Sequence, residues 1–104
     1  MKTIPNLNMI ENGGVTSPAG FKASGICAGL KKSGNADMAL IYSEVPATFA
    51  ATFTSCLFAA APVILCRERV LAQETMRAVI VNSGNANACT GREGYKNAVK
   101  MAEL

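Results

Sequence analysis

Asn82, Asn85 and Asn87 lie close together in "AVIVNSGNANACTGREGY", Ala78 to Tyr95, with Ser83, Gly84, Cys89 and Thr90 among and beside them. A carboxamide both donates and accepts hydrogen bonds, so the cluster supports two readings: a polar wall that orients a substrate, or a loop that satisfies its own freed backbone groups. Composition favours the second and leaves the first open. Ser83 beside Gly84 suggests a nucleophile elbow, but G-x-S-x-G needs glycine where Val81 stands, and the chain has no histidine to serve as base. Turn formation is the expected role of Ser83. Cys89 precedes a helix start, where the dipole lowers a thiol's pKa. Without a base partner, a buried, unreactive thiol is the expected state. Gly84, Gly91 and Gly94 do not spell G-x-G-x-x-G, and no Gly-Lys-Ser/Thr follows, which disfavours dinucleotide and NTP sites. What remains is a Gly-rich corner whose N–H groups suit an anion or a developing oxyanion.

The elements on either side must position that corner. "RAVIV", Arg77 to Val81, predicts a buried strand, with two valines and an isoleucine in an apolar run. After the loop, Thr90-Gly91-Arg92-Glu93 matches the S/T-x-x-E capping box, with Thr90 and Glu93 as the cap. Tyr95, Ala98, Val99 and Ala102 then form the apolar stripe of a helix. "KMAEL" reaches Leu104 without a Gly, Asn or Pro terminator, so this helix is expected to be cut within its length.

Upstream, Asn12-Gly13-Gly14 predicts a hairpin-like turn. Gly20, Gly25, Gly29 and Gly34 disfavour a helix in "TSPAGFKASGICAGLKKSGN", which predicts short strands closed by a Ser33-Gly34-Asn35 turn. "DMALIYSEV" and "TFAATFT" predict two adjacent strands joined at Val45 and Pro46, because proline breaks the ladder between them. Pro62 is expected to open a short helix carrying Val63, Cys66, Val70 and Leu71. Strands and helices together give a mixed α/β layer.

The chain has 104 residues, half of them hydrophobic, which suits one small domain. Ten Lys and Arg against seven Asp and Glu leave a charge of +3, scattered from Lys2 to Lys100 with only Lys31 and Lys32 adjacent. No basic stripe exists for nucleic acid or a membrane surface. The start, "MKTIPNLNMIENGG", carries no targeting signal. The longest apolar run, "CLFAAAPVILC", is far short of the roughly 20 residues that span a bilayer and reads as core. Cys27, Cys56, Cys66 and Cys89 form no C-x-x-C and have no histidine to join them, which excludes zinc fingers, zinc hydrolases and Ser-His or Cys-His catalytic pairs within this chain. Free cytosolic thiols acting as small hydrophobes are expected.

At the asparagine loop the sequence resembles the ornithine acetyltransferase family, bifunctional glutamate N-acetyltransferases of the arginine pathway, through "VNSGNANACTG" followed by a further glycine and a helix. "GVTSPAGFKASGICAGLKKSGNADMALIYSEVPATFAATFT" and "AAAPVILCRE" are similar to the family's opening blocks, in the same order and spacing. The resemblance runs from about Gly13 to the end, and corresponds to the leading part of proteins several times longer. One departure stands out. Where the family commonly has Asn and a basic residue after "FT", this chain has Ser55, Cys56 and Leu57.

The resemblance implies an N-terminal-nucleophile-like α-β-β-α sandwich, of which residues 1–104 are a single incomplete domain. It implies a cytoplasmic acyltransferase whose precursor cleaves itself before a threonine. That threonine, with its free α-amino group as base, takes acetyl from N-acetylornithine and passes it to glutamate. No cofactor is implied, although some members also accept acetyl-CoA as acetyl donor. The expected partners are the rest of the α chain and the β chain, in an α/β heteromer and higher oligomer. No residue of this chain matches a catalytic position of the family. The loop residues Asn82, Ser83, Gly84, Asn85 and Asn87 are expected near the active site, and the chain alone is expected to be inactive. The rival reading is a non-catalytic scaffold or a module that binds an anion or acyl-CoA.

Overall fold

The computed structural model describes residues 4–104, ordered β1 (Phe21–Ile26), β2 (Met38–Thr48), α1 (Ala61–Ala72), β3 (Thr75–Asn82) and α2 (Gly91–Glu103). Met1, Lys2 and Thr3, where the targeting-signal reading begins, lie outside the described residues. The strands form one antiparallel sheet in the order β1-β2-β3, so the class is mixed α/β.

The central strand departs from expectation. β2 runs unbroken through Val45 and Pro46, and its register against β3 shifts between Tyr42↔Ala78 and Ala47↔Met76. That shift is a bulge, where a residue without an N–H loses no ladder partner, so proline is tolerated instead of ending the strand. Arg77 braces it. The guanidinium donates to the Ser43 carbonyl at 3.2 Å, to the Glu44 carbonyl and to the Tyr42 hydroxyl, and lies 5.1 Å from the centre of the Tyr42 ring. Buried Ser43 donates its hydroxyl to the Val45 carbonyl at 2.6 Å.

The second predicted strand does not form. Thr48 pairs with Thr75, where β3 begins, so no β3 backbone stands opposite Phe49–Thr54. The end of that segment instead packs on α1, with Arg67 5.7 Å from the Phe53 ring centre and donating to the Thr54 carbonyl at 2.8 Å, while Phe49 lines a groove with Phe21, Ile41 and Val79 of the sheet. The Asn12 turn closes through Gly13 N–H to the Ile10 carbonyl at 3.1 Å, but no strands flank it. The later turn sits slightly upstream of its predicted place, closed by Gly34 N–H on the Lys31 carbonyl.

α1 starts with Pro in its first turn, as the missing N–H there costs nothing. Only part of the apolar run around it is core. Ala61 and Leu65 are buried, whereas Leu57 is 96% and Phe58 82% exposed, and Cys56 and Cys66 are also at the surface. α2 lays Tyr95, Ala98 and Val99 against this core, leaving Ala102 exposed. The Tyr95 hydroxyl bonds to the Glu68 carboxylate of α1, and this raises the phenol's pKa.

β3 is a strand, but not a buried one: Val79 is 54% and Val81 46% exposed. A strand apolar on both sides needs cover on both sides. Here it occupies a sheet edge, and the residues that line a space shared with both helices, Met38 and Asn82, lie on one face. By the register, Phe21, Ile41, Val79 and Val81 share the other face, which carries no layer among the described residues. The radius of gyration, 16.3 Å, exceeds the roughly 13 Å of a compact domain this size.

Candidate functional site

Both helices begin at the loop that follows β3. Asn87 joins them: its carbonyl accepts the Ala61 N–H at 3.3 Å, at the start of α1, and its carboxamide donates to the Gly94 carbonyl at 2.7 Å, in the first turns of α2. The Thr90 hydroxyl donates back toward both oxygens of Asn87. This replaces the predicted capping box. Thr90 is the residue before α2, but its side chain caps no N–H of the helix: its φ of −103° and ψ of 2° are not the extended backbone of a capping residue, and Glu93 stays exposed without a cap bond.

The loop's composition follows from its backbone. Gly84, Asn87, Cys89 and Gly91 have φ of 92°, 49°, 57° and 61°, the left-handed region that Gly and Asn enter most easily. Cys89 is exposed, so the buried-thiol expectation fails, as it does for Cys27, Cys56 and Cys66. All four lie outside the small core of Ala61, Leu65 and Ala98.

Carboxamides close the rest of the loop. Asn82 donates to the Asn85 carbonyl at 2.7 Å, and the Asn85 side-chain oxygen accepts the Asn87 N–H at 2.9 Å. Gly94 passes beneath this network, where an added Cβ would stand 2.4 Å from Thr90 Cβ.

Between the loop, β2 and the helices lies a concavity of about 170 Å³. Asn82, Asn85, Asn87 and Asn97 supply its polar lining, and Leu30, Met38, Pro62, Ala98 and Met101 its apolar lining. Of the residues singled out from sequence, Asn82, Asn85 and Asn87 therefore come together. Ser83 and Gly84 lie instead against the loop that follows β1, and Thr90 and Glu93 do not line the concavity.

Sequence reasoning missed Asp37. Its carboxylate accepts the N–H groups of Ala28 and Leu30, each at 2.6 Å, and of Lys31 at 2.9 Å. The Ala28 bond first, then those of Lys31 and Leu30, hold this carboxyl below its ordinary pKa despite the opposing effect of burial. The available signal was a lone carboxylate between a Gly-rich loop and an apolar strand. Among the described residues, no group of three or more Cys, Asp or Glu could hold a metal ion. No helix among them is long and apolar enough to cross a membrane.

The family model described as the ArgJ family matches residues 22–104. The chain is 52% identical over 95 residues to the arginine biosynthesis bifunctional protein ArgJ of Synechocystis, covering 91% of this chain and 23% of that protein. The crystal structure of ornithine acetyltransferase complexed with ornithine from Mycobacterium tuberculosis superposes with a TM-score of 0.78 at 49% identity, covering 86% of this chain and 46% of that one. The ArgJ structure from Bacillus halodurans superposes at 0.82 with 43% identity, covering 88% and 47%. The chain thus spans about a quarter of the length of the curated relatives it matches. With a family match over residues 22–104 and half-identical relatives along almost all its length, the chain belongs to the ArgJ family.

Proposed function

We propose that these residues are the leading part of an ornithine acetyltransferase that moves acetyl from N-acetylornithine to glutamate, and that they supply framework beside the substrate while the nucleophile lies elsewhere. The observation that carries this is the family match through the asparagine loop, in a chain about a quarter as long as its relatives. A threonine outside these residues, freed by self-cleavage, attacks the acetyl carbonyl. Ornithine leaves, and the glutamate amine then takes the acetyl group from the threonine ester. A histidine-free chain suits a nucleophile whose base is its own α-amino group. Acetyl-CoA is a second donor in this scheme, and the rest of the α chain and the β chain are the partners. The uncovered apolar sheet face supports the further reading that a second sheet packs there to complete an α-β-β-α sandwich.

The test has two arms. The purified chain, given N-acetylornithine and glutamate, is expected to form no N-acetylglutamate; transfer by the chain alone refutes the assignment of the nucleophile to other residues. Co-expressed with the remainder of the Synechocystis relative, it is expected to assemble and transfer acetyl. An assembly that forms but transfers nothing refutes the function.

A further inference from the structure

Asp37 touches two loops at once, with different atoms. Its carboxylate gathers the N–H groups of Ala28, Leu30 and Lys31, while its carbonyl accepts the Ser83 N–H at 2.8 Å and its own N–H reaches the Ile26 carbonyl at 3.0 Å. It is 3% exposed. The loops also meet directly, since a Cβ on Gly84 would stand 3.0 Å from Lys31 Cγ and 3.6 Å from the Leu30 carbonyl. Leu30 lines the same concavity as Asn82 and Asn85. One residue therefore sets the separation of two walls. An ionised carboxylate suits this, because it is acceptor-only at both oxygens, whereas a carboxamide offers one acceptor and one donor.

We infer that Asp37 is a positioning residue of the asparagine-lined concavity, locking the segment 28–31 to the Ser83 end of the second loop so that both walls hold one geometry. It contacts no substrate itself. The inference rests on the proposed function in one respect, that the concavity borders the substrate.

The experiment compares wild type and Asp37→Asn in the chain assembled with the remainder of the Synechocystis relative, by amide hydrogen exchange and by kinetics. Faster exchange is expected in segments 27–32 and 83–87 together, with the β1–β2 pairing unchanged. KM for N-acetylornithine should rise about tenfold with kcat within about threefold, the pattern of lost uniform binding. Faster exchange confined to 27–32, or an unmoved KM, overturns the inference. Should Asp37→Asn fail to assemble, Gly84→Ala pushes on the contact from the other loop. It is expected to speed exchange at 27–32, and no change there overturns the coupling. A folded wild-type assembly that transfers no acetyl refutes the proposed function, and the exchange measurements then decide the inference alone.

Discussion

Asn82 donates its carboxamide N–H to the Asn85 carbonyl and so closes the first turn after β3. Asn82→Ala leaves that carbonyl without its donor, at a cost of about 1 kcal/mol. A lower melting temperature or slower self-cleavage of the assembled protein is expected, with KM for N-acetylornithine changed by less than about threefold. Unchanged stability with a clearly raised KM would instead mean that the side chain touches substrate. Asp37 adds a pH dependence. Its carboxyl is held below the ordinary 3.8, so in acid the folded state binds fewer protons than the unfolded chain. The stability it contributes is complete above roughly pH 5 and is lost as the pH falls through the ordinary value toward the depressed native one. Protection of the Ala28, Leu30 and Lys31 amides, taken relative to the intrinsic exchange rate at each pH, should fall over that window, and Asp37→Asn should flatten the response. The asparagines were visible in the sequence because Asn and Gly announce left-handed backbone. Asp37 was not, since its partners are backbone N–H groups, which no residue type announces.

At the scale of the element, the start of α2 depends on a missing side chain. Ala in place of Gly94 gains about 1 kcal/mol of helix propensity. Its Cβ would collide with Thr90 and Asn87, however, and overpacking of that kind costs about 1–3 kcal/mol before the Asn87 bonds are counted. The collision wins. Gly94→Ala should destabilise by about 1–2 kcal/mol in a denaturant titration; a variant as stable as wild type would show that Thr90 moves aside freely. The helices themselves were readable, α1 from Pro62 and α2 from the Tyr95, Ala98, Val99 spacing. The continuity of β2 was not. Pro46 breaks a regular ladder but not a bulge, and the bulge depends on Arg77, which is remote in sequence. The capping motif misled for a related reason, because the backbone at Thr90 is set by the loop before it and is not the extended form that capping needs.

For the whole molecule, the unpartnered sheet face is the dominant feature. Phe21, Ile41, Val79 and Val81 present an apolar surface of the kind that marks an interface. Val79→Lys places a charge there. It should make the isolated chain less prone to aggregate in light scattering, while weakening co-purification with the rest of the protein, since burial of a valine is worth about 1.5–3 kcal/mol. Unaltered co-purification would mean that the face stays open in the assembly. Composition showed enough apolar residues for a core, but not that they would be spread over surfaces facing outward. The exposed cysteines follow from the same arrangement. Cys27 follows β1, Cys56 precedes α1, Cys66 sits on it and Cys89 stands before α2. They amount to four native alkylation probes in four different segments. Mass-tagging them before and after assembly would map, thiol by thiol, which surfaces a docking partner covers, with no label introduced.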